Sequence, residues 1–235
     1  MYRDKKIGLV IPCFKVKSTI NNVIKSIPNF VDNIYTVSDN CPEKSVELIK
    51  SKSKKIKKIY RKKNGGVGAA VKDGYVKSIK DGNYLTVRID GDGQMDLALI
   101  RNFIDPIISN KSEFTKGNRF LDYSFLKSMP LIRIIGNIFF SFIGNVIIKN
   151  FKIFDFLNGY TAIKNDVLRK VLKTDLDDDF FFDTILIYQL NKLRFKILDV
   201  PMEAKYENEK SNINVLKTGV IFLLKNLFFI IGIKR

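Results

Sequence analysis

The chain contains no histidine, and only two of its 235 residues are cysteine. Without histidine there can be no Ser-His-Asp triad, no histidine metal cluster and no zinc-deaminase chemistry. Catalysis, if any, must run on carboxylates, cations and a hard metal ion. Cys13 and Cys41 lie far apart and form no Cys-x-x-Cys pair. This argues against a disulfide scaffold or a zinc site and suits a reducing compartment. Residues 1–12 lack a long apolar stretch with a cleavage site, so no signal peptide is expected. Acidic residues are scarce: 24 Asp and Glu stand against 41 Lys and Arg, a formal net charge of +17. That excess points to an anionic partner, for which nucleic acid, anionic lipid and phosphorylated substrates all qualify.

Hydrophobic residues make up 46% of the chain, which excludes a disordered polymer, and the length suffices for one α/β domain with a real core. Residues 7–11 form a short apolar run ended by Pro12, the pattern of a buried strand. Residues 18–27 carry Ile20, Val23, Ile24 and Ile27 at helical spacing, and Pro28 closes that helix. Further strands are expected at 34–37, 54–60 and 84–89. Helices are expected at 43–51 and from the glycine turn at 64–68 to about residue 79. Strands alternating with helices predict right-handed βαβ units and a mostly parallel sheet. Ligands bind such sheets at the carboxyl ends of the strands, where Asp39 and the Asp90/Asp92 pair both fall. The basic run 50–63 contains no acidic residue and reads first as solvated surface.

Asp90-Gly91-Asp92-Gly93-Gln94 follows a predicted strand. Two carboxylates one residue apart on a small turn can share one hard cation, Mg²⁺ or Mn²⁺, with Gln94 adding a carbonyl oxygen. The turn is not an EF-hand, because the later ligands and the closing glutamate are missing. The glycine-rich 64–68 segment is neither a P-loop, since no Gly-Lys-Ser/Thr follows, nor a dinucleotide fingerprint.

Two segments raise a membrane. In 131–148 the polar positions Arg133, Asn137, Ser141, Gly144 and Asn145 fall on one stripe and leave a broad apolar face. A buried core helix and a helix lying in the lipid interface both satisfy that pattern. A span is disfavoured, because crossing needs about 20 predominantly apolar residues. Residues 218–233 read as a second interfacial helix, with Lys225 snorkelling to the headgroups. The expected division is a catalytic domain over 1–212 and a membrane-associating tail over 213–235.

At this point the motifs resemble glycosyltransferase family 2, with its GT-A nucleotide-sugar-binding fold, and especially its dolichol- or polyprenyl-phosphate sugar transferases. The resemblance rests on Val10-Ile11-Pro12-Cys13-Phe14, Val37-Ser38-Asp39, Asn64-Gly65-Gly66-Val67-Gly68, Asp90-Gly91-Asp92-Gly93-Gln94, Lys116-Gly117-Asn118-Arg119, Asn158-Gly159-Tyr160 and Val200-Pro201 through Tyr206, with Glu209-Lys210-Ser211. The resemblance implies an inverting transfer from a UDP- or GDP-sugar to a lipid phosphate or lipid-linked acceptor, at the cytoplasmic face of a membrane. It implies that Pro12, Phe14, Asp39, Gly68 and Asp90 bind the donor, and that Asp90, Asp92 and Gln94 hold the metal. It implies phosphate-binding roles for Arg119, Arg133, Asn137 and Lys205. Asp183 is the candidate base should the acceptor be a hydroxyl; the alternative is a charge placed at a helix N-terminus. Lys15 and Val16, Ser38 and Ile185 depart from the family pattern, where acids are usual. They keep a non-catalytic scaffold as one competing reading. A nucleotidyltransferase and a basic nucleic-acid-binding protein are the others, although no recognition motif supports the last.

Overall fold

The computed structural model describes residues 1–203, 221 and 223–226. Lys205, Tyr206, Glu209-Lys210-Ser211 and most of the 213–235 tail therefore lie outside the described residues.

The N-terminal half is a run of strand–helix units. β1 (Ile7–Cys13) is followed by α1 (Ile20–Ser26), β2 (Asn33–Ser38), β3 (Ile56–Tyr60), α2 (Val67–Lys80) and β4 (Leu85–Arg88). The second half adds α3 (Ile100–Ile108), β5 (Phe114–Asn118), α4 (Leu131–Ile148), β6 (Thr161–Lys164), α5 (Asn165–Val171), α6 (Phe182–Lys192) and β7 (Ile197–Pro201). The strands form one sheet in the order β3-β2-β1-β4-β6-β5-β7. β6 alone runs against its neighbours β4 and β5, and the other pairings are parallel. The expected mostly parallel α/β sheet is what forms.

β1 shows why its sequence is an unbroken apolar run. Side chains on a strand alternate between faces. Ile7, Leu9, Ile11 and Cys13 join one apolar cluster with α1 and α3, while Val10 joins a second with α2 and α6. A strand covered on both faces has no position left for a polar side chain. Each fully buried Leu or Ile contributes about 1.5–3 kcal/mol of transfer free energy, so the central strands anchor the domain.

Two expectations fail. Residues 43–51 form turns, not a helix. Lys44 adopts a left-handed φ of 51°, and the hydroxyl of buried Ser45 is engaged by the Val16 N–H at 3.1 Å, so the segment is shaped by the β1 loop it packs on. Lys225 does not snorkel: its ammonium bonds Asp177 and Asp179, each at 2.6 Å, and its side chain is 16% exposed.

The basic run behaves as expected for an edge. β3 borders the sheet, and several of its cations have internal partners. Lys55 bonds the carbonyls of Asn29 and Val31, Lys57 bonds Asp81, and Arg61 bonds Asp39 and Asp73. Those three side chains are committed to holding the fold.

Candidate active site

A cleft of about 670 Å³ opens at the carboxyl ends of β1, β2 and β4. That is the end of a parallel sheet where ligands bind, and the volume is that of a small-molecule site. Pro12, Phe14, Asp39, Asp90, Asp92 and Asp183 all border it, although they span most of the described chain. Gly68, Gln94, Arg119, Arg133 and Asn137 do not. Gly68 is buried under the 177–182 loop, where a Cβ would sit 2.7 Å from the Asp177 carbonyl oxygen and from Phe182 Cβ. Its smallness permits that packing. Gln94 contributes its backbone, donating its N–H to Asp92 Oδ1 at 3.0 Å.

Asp39 caps the glycine turn. Arg61 Nη1 donates to its Oδ1 at 2.7 Å, and the N–H groups of Gly65 and Gly66 donate to its carboxylate at 2.8–3.2 Å. Gly66 precedes α2 with φ of 95°, a conformation that L side chains rarely adopt. The start of α2 is thereby bound to the end of β2 along one wall of the cleft.

The aspartate turn is held from below and beside. Thr19 Oγ1 donates to the Gly91 carbonyl at 2.7 Å, and Arg88 Nη2 donates to Asp90 Oδ1 at 3.2 Å. Arg88 is 3% exposed, and its Nη1 bonds Asp183 Oδ1. Burial works against the Arg88 charge, and Asp183 and Asp90 outweigh it, holding its pKa above the ordinary value. Burial pushes the Asp183 carboxyl upward, opposed by the guanidinium bound to it. Arg88 was not among the residues singled out from sequence; its position two residues before Asp90, at the end of β4, was the available signal.

The residues fit a hard divalent cation. Asp90 and Asp92 offer carboxylate oxygens at the cleft floor, and among the described residues no group of three or more Asp, Glu, Cys or His forms a self-sufficient metal cage. Two carboxylates completed by substrate phosphates is the usual arrangement for Mg²⁺.

The expected phosphate-binding residues occupy the second half of the fold. Arg119 follows β5 and is locked by Asp155, with Nε to Oδ2 at 2.7 Å and Nη2 to Oδ1 at 2.5 Å. Burial alone would raise the Asp155 pKa, and Arg119 outweighs it and keeps the carboxyl below the ordinary range. Asp155 was not foreseen either. Its loop is fastened by the fully buried Lys116, whose ammonium bonds the carbonyls of Gly117 and Phe154 and reaches Asp199 at 3.3 Å. Arg133 and Asn137 stand one turn apart on the protein-facing side of α4, Asn137 buried and Arg133 half-buried.

α4 itself has inverted polarity. Leu131, Ile132, Ile135, Ile138, Phe139, Phe142 and Val146 are 44–70% exposed. At 100° per residue they occupy an arc of about 120°. Asn137, Ser141, Gly144 and Asn145 face the protein together with Phe140 and Ile148. There the Ser141 hydroxyl accepts the Asp155 N–H at 3.0 Å, tying the helix to the loop whose Leu157 and Gly159 border the cleft.

Comparison with known proteins agrees with this fold. The model of the family described as glycosyl transferase family 2 matches residues 9–172. A UDP-N-acetylglucosamine–dolichyl-phosphate N-acetylglucosaminyltransferase of Methanococcus voltae is 29% identical, over 86% of this chain and 87% of that protein. An uncharacterized protein of Methanocaldococcus jannaschii is 24% identical, over 94% of this chain and 90% of its own length. Among solved structures, glucosyl-3-phosphoglycerate synthase from Mycobacterium tuberculosis, in complex with Mn²⁺, UDP and phosphoglyceric acid, superposes with a TM-score of 0.68. It is 15% identical, and the match covers 99% of this chain and 80% of that one, a likeness of fold.

Proposed function

The chain belongs to glycosyl transferase family 2, and from that premise we propose that it moves a sugar from a UDP- or GDP-linked donor to a polyprenyl phosphate, with inversion, at the cytoplasmic face of a membrane. The observation that carries this reading is the joining of an acidic-floored cleft to a helix with an exposed apolar face. The Methanococcus voltae relative, named for a UDP-sugar donor and a dolichyl-phosphate acceptor, supports both ends of the proposal.

In this reading Pro12 and Phe14 border the base and ribose at the mouth of the cleft, and Asp39 stands on the same wall. Asp90 and Asp92 hold Mg²⁺ or Mn²⁺, which supplies positive charge against the departing diphosphate. Arg119, aimed by Asp155, and Arg133 with Asn137 receive the acceptor phosphate; Lys205 is proposed to join them. A phosphate acceptor is already anionic and needs no strong base, which suits a chain without histidine.

α4 lies on the membrane in this reading. It is the one described helix long and apolar enough to cross, with 18 residues and a mean hydropathy of 1.9. Crossing would expose Asn137, Ser141 and Asn145 to lipid, and Ser141 would lose its bond to the 155 loop. Lying flat, the helix keeps that bond and buries its apolar arc. Residues 213–235 are proposed as a second membrane contact.

Purified protein is given Mn²⁺ or Mg²⁺, a panel of UDP- and GDP-sugars and undecaprenyl phosphate, and released nucleotide is measured. Metal-dependent release stimulated by the lipid is expected, with Asp92→Asn slower by roughly 10²–10³-fold. Release indifferent to the lipid phosphate would remove the acceptor assignment. Undiminished turnover by Asp92→Asn would remove the metal assignment.

A further inference from the structure

Arg88 is an expensive residue to place at the end of β4. A buried guanidinium is stable only when its charge and its donors are matched. Here the match is deliberate on two sides and missing on a third: Nη1 bonds Asp183, Nη2 bonds Asp90, and Nε is buried without a hydrogen-bond partner among the described residues. The Phe182 ring lies 5.9 Å from the guanidinium carbon, and Thr161, directly across the β4–β6 pairing, borders it from the neighbouring strand. Above the Arg88–Asp90 bond sits Gly159. A Cβ there would come within 2.9 Å of both Arg88 Nη2 and Asp90 Oδ2. The chain therefore keeps open the space over this one contact.

Asp183 has the geometry of a counter-ion. It lies in the first turn of α6, its side chain is 9% exposed, and its Oδ1 is held by the buried guanidinium. Asp90 differs: 34% of its side chain is exposed, and its bond to Arg88 is the longer one. One carboxylate anchors the arginine, and the other is steered by it into the cleft.

We propose that Arg88 is a positioning residue that aims Asp90, and that Asp183 serves as the buried counter-ion fixing Arg88 and not as the proton acceptor of the reaction. The proposal rests on the reading of Asp90 and Asp92 as the metal-holding pair. Groups that orient a metal-binding side chain from behind typically change metal affinity 10–100-fold when removed.

The test is Mn²⁺ affinity, followed by electron paramagnetic resonance in the presence of UDP. The decisive variant is Arg88→Met combined with Asp183→Leu. It removes one positive and one negative charge together, so the net charge beside the cleft is unchanged. Replacing a buried ion pair with apolar groups of similar size is also tolerated by folds. The double variant is expected to bind Mn²⁺ roughly tenfold or more weakly while unfolding at a similar temperature. Wild-type Mn²⁺ affinity in the double variant would overturn the positioning role. Asp183→Asn separates the counter-ion from a base: it retains an oxygen for Arg88, and the kcat profile is expected to keep its pH shape. Loss of the rising limb of that profile, with Mn²⁺ affinity unchanged, would make Asp183 the base and end the proposal. If Asp92→Asn also binds Mn²⁺ as the wild type does, the metal reading itself has failed and Arg88 falls with it.

Discussion

α2 buries Ala70, Val71 and Tyr75 against the sheet and turns Asp73 and Lys80 to water. α4 buries Asn137, Ser141 and Asn145 and turns Leu131, Ile135, Phe139 and Phe142 outward. Both are amphipathic, so periodicity alone does not distinguish them; what differs is which face meets the protein. For α2 the hydrophobic effect acts between helix and sheet. For α4 the Ser141 hydroxyl bonds the 155 loop, Phe140 and Ile148 pack inward beside the polar residues, and most of the remaining apolar side chains face outward. A contiguous exposed apolar surface of this kind marks an interaction site.

The largest expected effect tests that inversion directly. Val71→Gln places an amide at a position with no exposure and should destabilise the domain by about 3 kcal/mol in urea unfolding. Phe142→Gln, at a position 58% exposed, should change stability by less than about 0.5 kcal/mol. The same side chain should matter on lipid. Phe139→Gln with Phe142→Gln should lower partitioning onto anionic vesicles by roughly tenfold to a hundredfold in sedimentation. Unchanged partitioning would leave the apolar arc of α4 without the membrane role proposed for it.

This contrast also marks how far the sequence could be read. The double-faced burial of β1, the helix after the glycine turn and the paired carboxylates after β4 all follow from local pattern. They form as expected because each is written in a short stretch of sequence, even where the burying partners come from distant elements. The apolar arc of α4 was legible too, from the stripe of Arg133, Asn137, Ser141 and Asn145. What pattern does not carry is the partner of a charge. Arg88 meets Asp183 across 95 residues, Arg119 meets Asp155 across 36, and Lys225 meets Asp177 across 48. Those pairings depend on how the sheet brings distant loops together. Residues 43–51 were misread for the same reason: the Ser45 hydroxyl is claimed by the β1 loop, and that tertiary bond overrides helical propensity.

A second pair of substitutions compares the helices at glycine. A Cβ on Gly74 of α2 would lie 2.5 Å from Val10 Cγ1, inside a packed strand–helix contact. Gly74→Ala should therefore cost about 2 kcal/mol despite the better helix propensity of alanine. A Cβ on Gly136 of α4 would meet nothing within 4 Å. Gly136→Ala should stabilise the protein by about 0.5–1 kcal/mol, since only the backbone entropy term changes. Thermal unfolding of both variants checks the signs. A destabilised Gly136→Ala would mean that α4 is packed against more than the described structure contains.

The last comparison lies at the helix ends. α4 stops at Lys149, in a left-handed conformation with φ of 53°. α2 stops at Asp81, which accepts bonds from Lys57 at 2.6 Å, Tyr35 at 2.8 Å and Lys77 at 2.9 Å. Burial raises the Asp81 pKa, and these donors outweigh it, bringing the carboxyl from 3.8 down to about 2. A folded-state pKa below the unfolded value gives stability that is fully present above pH 3.8 and is lost as the pH falls through about 2. After allowance for solvent screening, the contribution is on the order of 1 kcal/mol. Asp81→Asn should accordingly lower the unfolding temperature at pH 7, and the gap to the wild type should close between pH 4 and pH 2. A gap that persists unchanged at pH 2 would assign the loss to packing at the end of α2, leaving the carboxylate's charge without a part in holding that helix to β2 and β3.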